Sequence, residues 1–202
     1  GYILPVTGPL AFEAQLALNG ILLAVDEING SGGIKSLGGA KLTLLPGDTQ
    51  NKVELGKSEA QRLIDQGVVA LMGPFSGLVA FSVRQDTEKA RTPFLLLAAV
   101  ADNLTEGGLR YTFRMQPNGK AMATLTVDNM LEMAKAANVP IKRVAMMHED
   151  GNFGTTMGNH VEAFAKTRGY ELVQRVPYNL RSPDFTAELA KIKAAKPDLL
   201  VI

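Results

Sequence analysis

The sequence predicts an α/β protein built on doubly wound parallel sheets with helices on both faces. Short, almost continuously apolar runs such as Val69-Ala70-Leu71-Met72 alternate along the chain with amphipathic helical stretches, and a strand with no polar side is one buried on both. The joints between a run and the next helix, as in Pro5-Val6-Thr7-Gly8-Pro9 and Gly73-Pro74-Phe75-Ser76-Gly77, are rich in glycine and proline. Such residues let a strand turn tightly into a helix N-terminus.

The first strand covers 2–4 and is broken by Pro5, Gly8 and Pro9. A helix over 10–28 follows, with Thr7 available as its cap, Leu16, Ile21, Leu23, Ala24, Val25 and Ile28 as its buried stripe, and Gly32-Gly33 as its stop. A strand at 41–46 leads through Gly47-Asp48 into a helix over 53–66, and a strand at 68–72 leads through the 73–77 turn into a helix ending near 90. Strands at 94–97 and 111–114, separated by a turn-rich connection holding Gly107-Gly108, complete a first set of five. The second set reads helix 120–137, strand 143–147, helix 153–168, strand 171–177, helix 185–194 and strand 199–202. Two domains follow, 1–117 and 118–202, and the second is expected to be only partly present because it stops on a core strand with no helix after it.

Composition excludes several classes of function. With 202 residues, of which 46% are hydrophobic, the chain can bury a substantial core. Its net charge of +1, without runs of like charge, argues against a nucleic-acid partner. No apolar stretch approaches the roughly eighteen residues of a membrane span, so direct membrane insertion is not expected. Cysteine is absent, which excludes disulfides and thiolate chemistry yet suits an oxidising compartment. A signal peptide is also absent, and we read it as removed.

Enzymatic readings find little support. His148-Glu149-Asp150 stands at the end of a strand and reads either as an acid–base or metal cluster or as a loop with an Asp-Gly turn. Three consecutive residues do not converge on one centre without a special turn, and nothing at ligand spacing supports them. Dinucleotide, Walker and nucleophile-elbow motifs are missing: in 73–77 the serine comes one place late for the elbow. No catalytic residue, metal site or cofactor is expected. Met130, Met133, Met146, Met147 and Met157 read as core filler.

The opening Leu4-Pro5-Val6-Thr7-Gly8-Pro9 with Ile28-Asn29 and Gly32-Gly33-Ile34 resembles the start of the type I periplasmic solute-binding proteins, in the branch related to leucine/isoleucine/valine binding. Val69 to Pro74, Arg91-Thr92-Pro93-Phe94, Tyr111-Thr112-Phe113-Arg114, Glu149 to Gly154 and Ser182-Pro183-Asp184-Phe185 followed by Pro197-Asp198 are similar to further family patterns, in the family's order. The resemblance implies two lobes joined by a hinge near 114–119, closing on a small-molecule carboxylate or amino-acid ligand. It further implies delivery to a membrane ABC permease, no enzymatic activity, a monomer, and a periplasmic or extracellular location, lipid-anchored in a Gram-positive host. A ligand-sensing regulatory domain of the same fold is the first alternative, and a hydrolase or dehydrogenase on a doubly wound sheet the second.

The carboxyl ends of parallel strands, where helix N-termini expose amides, are where a ligand is expected. Phe75, Ser76 and Gly77 form one candidate loop, which reads as an anion cradle, as a capped turn, or as both. Ala98, Ala99 and Val100 form the second. The resemblance implies hydroxyl side chains at the positions of Gly77 and Val100; their absence leaves backbone groups to hold a carboxylate and weakens the case for an ammonium partner. Phe12 and Phe153 match positions where the family sets an aromatic side chain against its ligand, with ordinary core residues as the other reading.

Overall fold

The computed structural model describes residues 1–179 and 182–202. The chain divides into two compact units, the first of Gly1–Ala99 and Asn103–Gln116, the second of Val100–Asp102 and Pro117–Ile202.

In the first unit, β1 (Tyr2–Leu4), β2 (Pro46–Asp48), β3 (Leu71–Gly73), β4 (Phe94–Leu96) and β5 (Thr112–Arg114) form one parallel sheet in the order β2-β1-β3-β4-β5. The crossovers are α1 (Ala11–Gly30), α2 (Val53–Asp65) and α3 (Gly77–Ala90). From β1 to β2 the chain steps one way along the sheet, and from β2 to β3 and on to β4 it steps the other way. Right-handed connections therefore set α1 on one face and α2 with α3 on the opposite face. The two helices that share a face pack closely: a Cβ at Gly56 of α2 would stand 2.3 Å from Val79 Cγ1 of α3. Ile3, Leu63, Leu71, Val79, Val83, Phe94 and Leu96 are buried in this core, each contributing about 2 kcal/mol relative to an exposed position.

Four expectations change in this unit. The third strand is Leu71–Gly73 instead of 68–72, because the Val68 amide donates to the Leu63 carbonyl (3.3 Å) and closes the end of α2, and Val69 is 86% exposed instead of buried. The second strand is Pro46–Asp48 instead of 41–46, because the Asn29 side chain of α1 engages the backbone of Leu42 through both its oxygen (2.8 Å) and its nitrogen (2.9 Å). That draws 41–45 toward the end of α1, and pairing begins only at Pro46, opposite Tyr2. Thr7 does not cap α1: its hydroxyl donates to Asp48, and the N-cap residue, Leu10, makes no side-chain bond. The stripe expected to be buried on α1 is largely open, with Leu16 57% and Leu23 62% exposed and only Ala14 fully enclosed.

In the second unit, β6 (Arg143–Glu149), β7 (Glu171–Tyr178) and β8 (Leu199–Val201) form a parallel sheet in the order β7-β6-β8, with α4 (Gly119–Ala136), α5 (Asn152–Arg168) and α6 (Thr186–Ala195) as its helices. Alternate residues of β6 serve two cores. Val144 and Met146 pack with Ala123, Val127 and Val161, while Ala145 packs with Val176 and Ile192. That both sets are buried is why the strand reads as apolar from Val144 to Met147. Among the methionines, Met130 and Met157 pack against the first cluster as expected, whereas Met133 is exposed.

Candidate functional site

Gly73 ends β3 with φ +124°, and a Cβ there would lie 2.1 Å from the carbonyl oxygen of Ile3. Only glycine lets β1 and β3 approach this closely while the chain turns into α3. α3 then begins at Gly77 behind Ser76, whose hydroxyl makes no capping bond to the amides of its first turn. Phe75, Ser76 and Gly77 are all half-buried along this turn. The neighbouring loop is held against it by the Leu97 amide, which donates to the Gly73 carbonyl (3.3 Å).

In that neighbouring loop, Ala99 and Val100 are buried as whole residues, 2% and 4% exposed, while Ala98 is half-buried. The Ala98 carbonyl accepts from Gln116 Nε2 (2.5 Å) and the Val100 carbonyl from the Gly119 amide (2.9 Å). Val100 belongs with the second unit, unlike its neighbours Ala98 and Ala99. Phe12, in the first turn of α1, is 74% exposed, and Phe153, in the first turn of α5, is 51% exposed. Neither ring is a core residue.

The helix that carries Phe153 is capped differently from α3. Glu149 folds back so that its two carboxylate oxygens accept from the amides of Gly151 (2.6 Å) and Gly154 (2.7 Å). The N-terminus of α5 thus already holds an anion of its own. A Cβ at Gly154 would lie 2.2 Å from the Glu149 carbonyl oxygen, so this tight turn requires the glycine.

His148 and Glu149 make separate contacts, and the Asp150 amide donates to the Tyr178 carbonyl (2.8 Å). Arg175 Nε donates to His148 Nε2 (2.9 Å), which places the ring proton on Nδ1, where it is shared with the Glu149 carbonyl (2.8 Å). Arg175 Nη1 also bonds Glu162 (2.8 Å) and Asn159 (3.0 Å), so the group is a structural tie between β6, β7 and α5. Among the described residues no three His, Asp or Glu side chains converge as a metal site. No helix among them is long and apolar enough to cross a membrane. Grooves of about 620 and 660 Å³ lie elsewhere, one lined by Asp128, Leu131, Lys135 and Tyr170, the other by Glu27, Ile28 and Ile34.

Sequence reasoning missed Thr7, Asp48 and Gln116. β1 and β2 are in register with Leu4 beside Asp48, so the loops that follow them start side by side. The Asp48 carboxylate accepts from Thr7 Oγ1 (2.5 Å), the Thr7 amide (3.3 Å) and the Gln50 amide (3.0 Å). Partial burial pushes the Asp48 carboxyl up, and the hydrogen bonds from Thr7, Gln50 and Val6 outweigh that and hold it below its usual range. Position at the end of an apolar run was the available clue for Asp48; Gln116 left none, because its partner is a backbone carbonyl eighteen residues away.

The fold is that of a parallel sheet with glycine-built turns and helix N-termini along its carboxyl edge, and the chain belongs to the periplasmic binding protein family, whose pattern matches residues 1–202. It is 32% identical over 205 residues to the Leu/Ile/Val-binding protein homolog 8 of Brucella abortus, covering 100% of this chain and 50% of the relative. A solute-binding protein of an ABC transporter from Rhodopseudomonas palustris BisB5, in complex with 3,4-dihydroxybenzoic acid, is 25% identical with a TM-score of 0.84, covering 100% of this chain and 53% of that one. An ABC transporter substrate-binding protein from Desulfitobacterium hafniense in complex with leucine is 25% identical with a TM-score of 0.74, covering 96% and 54%. The chain thus spans about half the length of the relatives it matches.

Proposed function

We propose that this chain is the capture component of an extracytoplasmic ABC importer and binds a small carboxylate with an apolar body, releasing it unchanged to a membrane permease. The observation that carries this reading is the contrast between the two helix N-termini. α3 opens at Gly77 without a side-chain cap, whereas α5 is occupied by the carboxylate of Glu149. α1 and α2 also open without a side-chain cap, so it is the glycine-built turn after β3 that leads us to assign an incoming anion to the amides around Ser76 and Gly77 in the first unit. Phe75 and Phe12 supply apolar surface there, and Ala98, the half-buried residue of the second loop, supplies the backbone nearest the solute; Ala99 and Val100 are enclosed, and the Val100 carbonyl already accepts from Gly119. We take the two units as the two lobes of the binding protein, with Phe153 as the exposed aromatic candidate of the second.

Leucine and 3,4-dihydroxybenzoate, the ligands of the two similar structures, both pair a carboxylate with a largely apolar body. Gly77 and Val100 bring no hydroxyl, which favours acids without an α-ammonium group. A thermal-shift panel of amino acids, aromatic acids, aliphatic acids and keto acids against the full-length protein tests this. A compound at a hundred times its dissociation constant adds about 2.7 kcal/mol of stability, a shift that a melting curve resolves. Stabilisation by amine-free acids is the expected result. Stabilisation by leucine-like amino acids alone overturns the preference for amine-free acids, and no response to any carboxylate overturns the capture reading.

A further inference from the structure

Two loops meet at the β1–β2 end of the carboxyl edge, and a single carboxylate organises both. The loop after β2 contains Gln50 (φ 48°) and Asn51 (φ 57°), two successive non-glycine residues in the left-handed region. Side chains resist that conformation, so such a pair persists where surrounding bonds fix it. Here Asp48 Oδ1 accepts from the Gln50 amide (3.0 Å) and Thr49 Oγ1 from the Asn51 amide (3.3 Å), while the Thr49 amide donates to the Leu4 carbonyl (3.0 Å). The other oxygen of Asp48 takes the Thr7 hydroxyl (2.5 Å), and Oδ1 also takes the Thr7 amide (3.3 Å). One residue beyond Thr7, Gly8 has φ +91° and leads to Ala11, whose amide donates to the Gly8 carbonyl (3.2 Å) as α1 begins. α1 has no side-chain cap of its own, so beside the backbone bonds of Ala11 to Gly8 and Ala14 to Leu10, the side-chain bonds that bear on its first turn, and on Phe12 with it, are those between Thr7 and Asp48.

We infer that Thr7 and Asp48 are positioning residues of the ligand site: their clasp sets the β1–α1 loop and holds Phe12 at the carboxyl edge of the sheet. The inference rests on the ligand-capture reading above. It assigns these residues an effect on affinity through another side chain, without contact to the solute.

The test is isothermal titration of the full-length protein with leucine and with 3,4-dihydroxybenzoate, in wild type, Thr7→Val, Thr7→Ser, Asp48→Asn and Glu88→Gln. A parallel arm follows amide exchange over residues 7–12 without ligand. Glu88 is the control, because it holds the Arg110 and Tyr111 amides at the opposite end of the sheet. The expected result is a dissociation constant raised roughly tenfold in Thr7→Val and Asp48→Asn, returned to within about threefold by Thr7→Ser and unmoved by Glu88→Gln. Exchange over 7–12 quickens in the same two variants. Thr7→Val leaves the bond from Asp48 to Gln50 in place and keeps the test open should Asp48→Asn fail to fold. Variants that melt earlier but bind with the wild-type constant overturn the inference. Wild type that takes up neither compound and responds to no carboxylate of the thermal-shift panel overturns the capture reading instead, and unchanged exchange over 7–12 in Thr7→Val and Asp48→Asn overturns the clasp separately.

Discussion

Gly73 illustrates what single residues reveal and conceal. In the sequence it reads as a turn former before Pro74, and it does end β3. What the sequence does not display is the reason no other residue fits there: the Ile3 carbonyl of the adjacent strand lies 2.1 Å from where a Cβ would be, and φ is +124°. Gly73→Ala therefore combines backbone strain with a clash against backbone, which cannot move aside as a side chain would. We expect it to cost about 3 kcal/mol by urea denaturation. Gly107 is the comparison. Its φ is +90° but nothing lies within 4 Å of its Cβ position, so Gly107→Ala should cost only about 1 kcal/mol, the strain alone. Equal losses at both sites would show that crowding at Ile3 is relieved elsewhere. Phe12 and Phe153 were legible as candidates through family patterns alone, because an isolated aromatic looks the same in sequence whether it packs in a core or stands half or more exposed, as these do.

Among the elements, the helices and most strands were legible because periodicity and glycine punctuation agree. α3 begins and ends where the sequence places it, at Gly77 and Ala90. α1 is the instructive departure. Apolar periodicity tells which face of a helix can be buried, not whether something lies against it, and Leu16 and Leu23 remain exposed. β2 was displaced because Pro46-Gly47-Asp48 looks like a turn; Gly47 is tolerated in the strand because Ile3 Cγ2 and the Tyr2 carbonyl would each stand 3.1 Å from a Cβ there. Helix caps were the least legible feature, since Thr7 and Ser76 have the right chemistry and make no capping bond, while Glu149 caps from ahead of its helix. This yields a paired prediction for thermal or urea unfolding. Glu149→Ala strips two amides at the N-terminus of α5 of their acceptor and should cost about 1–2 kcal/mol. Ser76→Ala removes a hydroxyl that caps nothing and should stay within about 0.5 kcal/mol of wild type. A large loss at Ser76 would mean that the first turn of α3 is already satisfied, and the case for an anion there would weaken.

For the whole molecule, the alternation of runs and helices made the parallel architecture legible, whereas the passage of Val100–Asp102 into the second unit was not. That excursion depends on tertiary bonds: the Gly119 amide to the Val100 carbonyl (2.9 Å), the Lys120 amide to Asp102 Oδ1 (3.4 Å) and His160 Nε2 to Asp102 Oδ2 (2.5 Å). Each unit is also tied by carboxylates that accept backbone amides, and these set the response of the protein to acid. In the first unit, burial pushes the Glu88 carboxyl up, but the amides of Arg110 and Tyr111 and the Thr112 hydroxyl outweigh it and leave it lowered. In the second unit, the Arg143 and Lys142 amides lower Asp198, joining β8 to the start of β6. A carboxyl lowered in the folded state stays ionised there while the unfolded chain takes up protons, so its contribution is complete above the ordinary carboxylate range of about 4 and is lost as pH falls through the folded value. The melting temperature should accordingly hold from neutral pH to about pH 5 and decline below about pH 4. Glu88→Gln separates this tie from the rest. It should cost about 1 kcal/mol at pH 7, and its deficit against wild type should shrink as pH drops, because protonated Glu88 also loses its charge-assisted bonds. A deficit that stays constant down to pH values where wild-type Glu88 is protonated would show that the variant acts through packing, and that the ionised form of Glu88 adds nothing to the tie between α3 and β5.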